Sequence, residues 1–184
     1  MTEASARWRR IAETFAQRTQ AVPADAWANQ SPCEGWTARD VVAHLVEWVP
    51  PFLHDGAGLA IGGGPSVDAD PAAAWTHLDD KIQAVPDADD IDDHVFDHPR
   101  AGRHRLDEAI ERFVLGDVLI HTWDLSRATG QDERLDPAMV ASMLAGLEAL
   151  GDILEQSGQY AARVPVADDA DDQTKLLALT GRQP

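Results

Sequence analysis

The sequence predicts an all-α protein, a four-helix bundle with long connections. Apolar residues recur at helical spacing through most of the 184 residues, and no set of alternating strands interrupts them. Proline, glycine and Asp or Thr punctuate the boundaries of the periodic stretches. The apolar fraction of 44% is enough for a core, and the length fits one domain spanning 1–184, with an acidic tail from about residue 157.

The first helix is expected from about residue 5 to 21, with Trp8, Ile11, Ala12, Phe15 and Thr19 on one face, ended by Pro23. An irregular loop follows, enforced by Pro32 and Gly35. Thr37 with Asp40 resembles a capping box, so a second helix starts there and carries Val41, Val42, His44, Leu45, Trp48 and Phe52 inward. Pro50 and Pro51 should kink or break it. Glycine dominates 56–66, a loop. Asp70 and Pro71 open a third helix to about Val85. Residues 86–104 form a long connection with a small hairpin around Phe96. A fourth helix runs over 106–128 and stops at Gly130. A fifth, opened by Asp136 and Pro137, extends to about 156. The tail is acidic and solvated, although Leu176, Leu177, Ala178 and Leu179 are apolar enough to dock back on the body.

Charge narrows the function classes. Fifteen Lys plus Arg against 32 Asp plus Glu give a net charge of −17, which opposes nucleic-acid binding and docking on anionic membranes. No run approaches the roughly 18–20 apolar residues of a membrane span. The start does not resemble a signal peptide, and the single cysteine excludes an intrachain disulfide. The expectation is a cytoplasmic protein with a small-molecule partner and no nucleic-acid or membrane partner.

The informative residues are polar ones on core faces. Asp117, His121 and Asp124 stand at i, i+4 and i+7 in a stretch that is otherwise apolar. His44 stands on the inward face of the second helix. A buried carboxylate must be paired, hydrogen-bonded or metal-bound. His44, Asp117 and His121 supply three N/O ligands with an open fourth position, the pattern of a catalytic zinc site, and nickel or iron accepts the same ligands. Two other readings stand beside it: His44 as a hydrogen-bonded core histidine, and Asp117 with His121 as a metal-free ion pair. Cys33 is either a nucleophile before a helix N-terminus or a structural thiol. His54, His77, His94, His98 and His104 lie in polar surroundings and read as solvated. No P-loop, dinucleotide fingerprint or Gly-x-Ser-x-Gly is present, and Gly62-Gly63-Gly64 reads as a hinge.

Two stretches resemble a known family. Ser31-Pro32-Cys33-Glu34-Gly35-Trp36-Thr37-Ala38-Arg39-Asp40-Val41-Val42-Ala43-His44-Leu45 is similar to the N-terminal signature of mycothiol-dependent maleylpyruvate isomerase-type metal-binding domains, within the DinB/YfiT-like superfamily. Gly116-Asp117-Val118-Leu119-Ile120-His121-Thr122-Trp123-Asp124 resembles the second signature. The tail, ending Leu179-Thr180-Gly181-Arg182-Gln183-Pro184, resembles an actinobacterial subgroup. The resemblance implies a DinB-like bundle in which His44, Asp117 and His121 hold a divalent metal and Asp124 orients a ligand from behind. It implies mycothiol as a co-substrate, in S-transfer or isomerisation of a small electrophile. The alternative is a non-catalytic metal-binding bundle with a stress-related role. Two departures matter: the isomerase has Glu where this chain has Asp117, and it carries a C-terminal α/β domain where only a short tail follows here. A homodimer is expected from the family habit and from six tryptophans.

Overall fold

A computed structural model describes residues 3–85, 94–151, 154 and 160–184. Helix α1 spans Glu3–Gln20 and buries Ser5, Trp8, Ile11, Ala12, Phe15 and Thr19, the spacing of one helical stripe. Helix α2 spans Ala38–Ala57. Its start is a true capping box: Thr37 Oγ1 accepts from the Asp40 amide, and Asp40 Oδ2 accepts from the Thr37 amide at 2.8 Å. Helix α3 spans Pro71–Gln83 behind Asp70, whose carboxylate accepts from the Ala73 amide at 2.9 Å.

Strands β1 (Val95–His98) and β2 (Gly102–Arg105) form the antiparallel hairpin, with Phe96 opposite His104. They lead directly into a long rod made of α4 (Leu106–Ala109), a π-helical turn (Ile110–Leu115) and α5 (Gly116–Thr129). Gly130 ends the rod with φ 69°, a left-handed C-cap that suits glycine. Helix α6 spans Pro137–Glu148, capped by Asp136, and α7 spans Asp172–Leu179, capped by Asp171.

Helix α1 packs on α3 and α5, and α2 packs on the same two, which closes the four-helix bundle. Helices α6 and α7 pack on each other, and α6 also rests on α5. The all-α, DinB-like expectation holds, and α3 is the bundle's fourth member. Trp8, Trp75 and Trp123 are buried at its centre, and Phe15 meets Trp75 edge-on at 4.6 Å between ring centroids. Each such side chain contributes about 1.5–3 kcal/mol by leaving water. Among the described residues, no helix is long and apolar enough to cross a membrane.

Four local expectations need correction. Helix α2 is not broken at Pro50 and Pro51 but continues to Ala57, because Val49, Leu53 and Gly56 lie buried on its inner face and packing outweighs the lost amide donors. The fourth helix contains a π turn that a 3.6-residue reading could not show. The fifth helix ends at Glu148, before a turn at Gly151 (φ 51°); the rest of its expected span, 152–153 and 155–156, lies outside the described residues, as do 86–93 of the long connection. The apolar run of the tail docks as expected, with Leu176, Leu177 and Ala178 buried, but Asp171, read as part of a solvated acidic stretch, is the N-cap of that helix and accepts from the Thr174 amide at 2.9 Å.

Candidate metal centre

The buried stripe of α2 runs through Ala38, Val41, Val42, Leu45, Val49, Leu53 and Gly56. His44 and Trp48 fall on its border, at the seam with α5. From Val118 to Ser126, α5 is buried all round, because bundle helices and the tail enclose it. Asp117 stands one residue before this stretch, at the mouth of the seam. The side chains of His44 and Asp117 keep 32% and 20% of their exposure, whereas His121 keeps 4%. The cluster therefore has a sealed floor and an open side.

His44 Nε2 lies 3.1 Å from Asp117 Oδ2, and His121 Nε2 lies 3.4 Å from Asp117 Oδ1. Donor atoms of these three residues all fall within 4.8 Å of one another. The Trp48 indole donates to Asp117 Oδ2 at 2.9 Å. The Trp36 ring stacks near both imidazoles, 4.9 Å from His44 and 5.8 Å from His121 between centroids. Behind His121, Nδ1 lies 2.9 Å from Asp124 Oδ2, and Asp124 is fully buried. Arg182, from the tail, donates to both oxygens of Asp124, at 3.3 and 2.8 Å.

Cys33 sits beside this second carboxylate: its thiol lies 3.4 Å from Asp124 Oδ2, and Arg182 Nη2 donates to its sulfur at 3.6 Å. Cys33, His121 and Asp124 thus form a second group of potential ligands that shares His121. A cation there would meet the Arg182 guanidinium, which already neutralises Asp124. Among the described residues, Asp117 has only imidazoles and an indole as hydrogen-bond or ion-pair partners. The donor set of the first group therefore fits a divalent ion, and the second fits it less well.

The protonation pattern is that of charged groups held together. Burial pushes the Asp117 carboxyl up most strongly of any single influence, but His121 and His44 together outweigh it and hold it well below the carboxylate range. Burial pushes His121 down, and Asp117, Asp124 and Cys33 together lift it well above the ordinary histidine value. Asp124 is raised by burial and lowered further by His121 and Arg182. Tyr160 is driven up to about 12 by burial and then by the charge of Asp117, which places its phenol in the field of the same cluster.

The structure brings His44, Asp117, His121 and Asp124 together, with Cys33 at the rear. The other histidines stay apart. His98 Nδ1 accepts from the amides of Arg100 and Ala101, His104 Nε2 faces the Ala101 carbonyl at 2.8 Å, and His77 Nε2 faces the Gly62 carbonyl, so these rings order turns and loops rather than standing solvated. His54 is exposed. Sequence reasoning missed Arg182 and the Trp48 indole bond. The apolar run at 176–179 was the available signal for Arg182, because a tail that docks carries its next residues inward.

Fold and cluster together define a helical bundle with a polar, half-open seam rich in metal-ligating side chains. The chain belongs to the family of the mycothiol maleylpyruvate isomerase N-terminal domain, whose model matches residues 8–126. That span includes Cys33, His44, Asp117, His121 and Asp124 and stops short of Arg182. Two similar relatives are the uncharacterized proteins Rv0738 and MT0763 of Mycobacterium tuberculosis strains H37Rv and CDC 1551. Each is 28% identical over 183 residues, covering 94% of this chain and 94% of its own length. No solved structure matches the chain.

Proposed function

We propose that this protein holds a divalent metal ion on His44, Asp117 and His121 and uses its open side to bind a low-molecular-weight thiol, mycothiol being the family's own. The observation that carries the reading is the convergence of these donor atoms within 4.8 Å at a seam sealed behind and open in front. Zinc suits the ligands best, and nickel or iron accepts them. When bound, the ion would hold a thiol as its thiolate near neutral pH.

The chain's own residues do the remaining work. Asp124 fixes the His121 ring so that Nε2 faces the seam. Trp48 holds Asp117, and Trp36 walls the imidazoles against water on one side. The reaction supported is addition of the thiolate to an electrophilic double bond: the C–S bond forms as the C=C pair shifts onto the neighbouring activated carbon. A proton from water taken up there leaves the S-conjugate, whereas rotation about the opened bond and expulsion of the thiolate restores the double bond in the other geometry. Cys33 lies behind His121, beside Asp124 and Arg182, and is given no catalytic role in this reading; no general base is assigned. We read the chain as one cytoplasmic unit that acts on a small molecule and pairs as a homodimer. Light scattering at micromolar concentration reading a single 20.0 kDa chain would contradict the dimer.

A second reading, a non-catalytic metal-binding bundle, draws on one observation. A cavity of about 670 Å³ is lined by Leu147, Tyr160, Arg163 and Leu179 among others, and by none of the three proposed ligands. A thiol titration of zinc-loaded protein, followed by a panel of electrophiles with and without thiol, separates the two. Thiol-dependent consumption of an electrophile is expected, and thiol binding without turnover across the panel favours the second reading.

A further inference from the structure

The tail residue Arg182 lies outside the segment that the family model matches, yet it touches the rear of the seam. Its guanidinium is only 12% exposed and makes a forked contact with Asp124, which is 58 residues away in sequence and has no exposure. Nη1 also donates to the Thr180 carbonyl at 3.0 Å, so the fork is anchored to its own backbone. Asp124 in turn receives His121 Nδ1 at 2.9 Å. The chain of contacts is continuous: tail backbone, Arg182, Asp124, His121, seam.

Each link has a geometric consequence. A buried carboxylate with a single imidazole partner is free to rotate about its Cβ–Cγ bond and to meet that imidazole through either oxygen. The fork of Arg182 takes one oxygen alone and shares the other, which fixes the carboxylate plane. The fixed plane favours a proton on His121 Nδ1 and keeps Nε2 turned toward the Asp117–His44 side of the seam, where loss of its own proton would free a lone pair for an ion. The guanidinium also balances the Asp124 charge, so the rear carboxylate does not compete with Asp117 for a cation.

Resting on the metal reading above, we propose that Arg182 is a positioning residue for that site, and that docking of the C-terminal tail and metal occupancy reinforce each other. Reciprocity is required: if a docked Arg182 raises metal affinity by some factor, bound metal stabilises the docked tail by the same factor. The family segment supplies the ligands, and the tail supplies the part that holds one of them still.

The test uses the full chain and zinc as the probe. Zinc affinity is measured by competition with a chelating dye for wild type, Arg182→Ala, Arg182→Lys, Asp124→Asn and the Arg182→Ala/Asp124→Asn double variant. Removing such an outer partner is expected to weaken binding about 10–100-fold. The double variant is expected to bind no more weakly than Asp124→Asn alone, because Arg182 acts through Asp124. Arg182→Lys is expected to recover part of the loss, since an ammonium keeps the charge without the fork. Hydrogen exchange on the wild type reads the reciprocal effect without any variant. Zinc is expected to slow exchange of the amides of Thr180, Gly181 and Arg182, which donate to carbonyls of α7. Affinity of Arg182→Ala within twofold of wild type, losses that multiply in the double variant, or tail amides indifferent to bound zinc would overturn the coupling alone. A wild type that binds no stoichiometric zinc would overturn the metal reading and the coupling with it.

Discussion

Two carboxylates on α5 are kept in different company. Asp124 is answered by a guanidinium and Asp117 by two imidazoles and an indole. If Asp117 is a ligand, metal binding requires it ionised and both histidines neutral, so metal and protons compete. Metal should then raise Tm clearly at neutral pH and much less near pH 5, and Asp117→Asn should lose most of that gain at unchanged side-chain size. An Asp117→Asn variant with the wild-type thermal response to metal would return the cluster to a metal-free ion pair. Asp79 gives an independent pH test. Burial raises its carboxyl, Asp80 adds to the rise, and the indole of Trp8, donating at 2.7 Å, opposes it. A raised carboxyl favours folding at low pH, and that contribution fades as pH rises through the folded value, above the ordinary ~3.9. Asp79→Asn keeps an acceptor for Trp8 and removes the titration. Urea unfolding of the variant should therefore gain on wild type as pH climbs from about 4 to 6; parallel curves would show that the burial carries no such cost.

Helix ends were the most legible features of the sequence, because a cap is a local hydrogen bond between residues three apart. Thr37 with Asp40, Asp70 before Pro71, Asp136 before Pro137 and Gly130 all act where their chemistry predicts. The inward stripe of α1 and the hairpin around Phe96 were legible for similar reasons. What escaped depends on partners distant in sequence. Gly56, read as part of a loop, is buried inside α2 because the Phe96 ring lies against its backbone. A Cβ at Gly56 would collide with that ring, which Phe52 and Phe113 hold in place. Gly56→Ala would gain up to ~1 kcal/mol of helix propensity. The overpacking, typically ~1–3 kcal/mol, should exceed it, so a net loss of stability is expected in urea unfolding. A stabilised variant would contradict the contact. The π turn before Asp117 was illegible because apolar residues of a buried helix leave the local winding unmarked. The same absence of a local signature hid Arg182, whose partner is on another helix.

At the scale of the molecule, the charge of −17 is spread over a surface with few cations to offset it. Self-repulsion then opposes the compact state, and salt should relieve it as the screening length falls from about 30 Å to about 8 Å. Tm of the metal-free protein is expected to rise between ~0.01 and ~0.15 M salt, and a falling Tm would mean that its surface ion pairs matter more than its net charge. The proposed ligand trio, though it spans two helices, was legible as a set of polar residues on core faces, since burying such groups without partners costs several kcal/mol. Its half-open placement was not, because exposure depends on how α2 rotates in the bundle, which sets His44 at the border of the buried stripe. Metal binding by the proposed trio requires His44 and His121 to act together across the α2–α5 seam. Its most direct test is metal stoichiometry, by elemental analysis and zinc titration, of wild type, His44→Ala and His121→Ala, with circular dichroism on the same samples. One equivalent per chain in the wild type and none in either variant, all three equally helical, is the predicted result. Full occupancy in either variant, or none in the wild type, would contradict it.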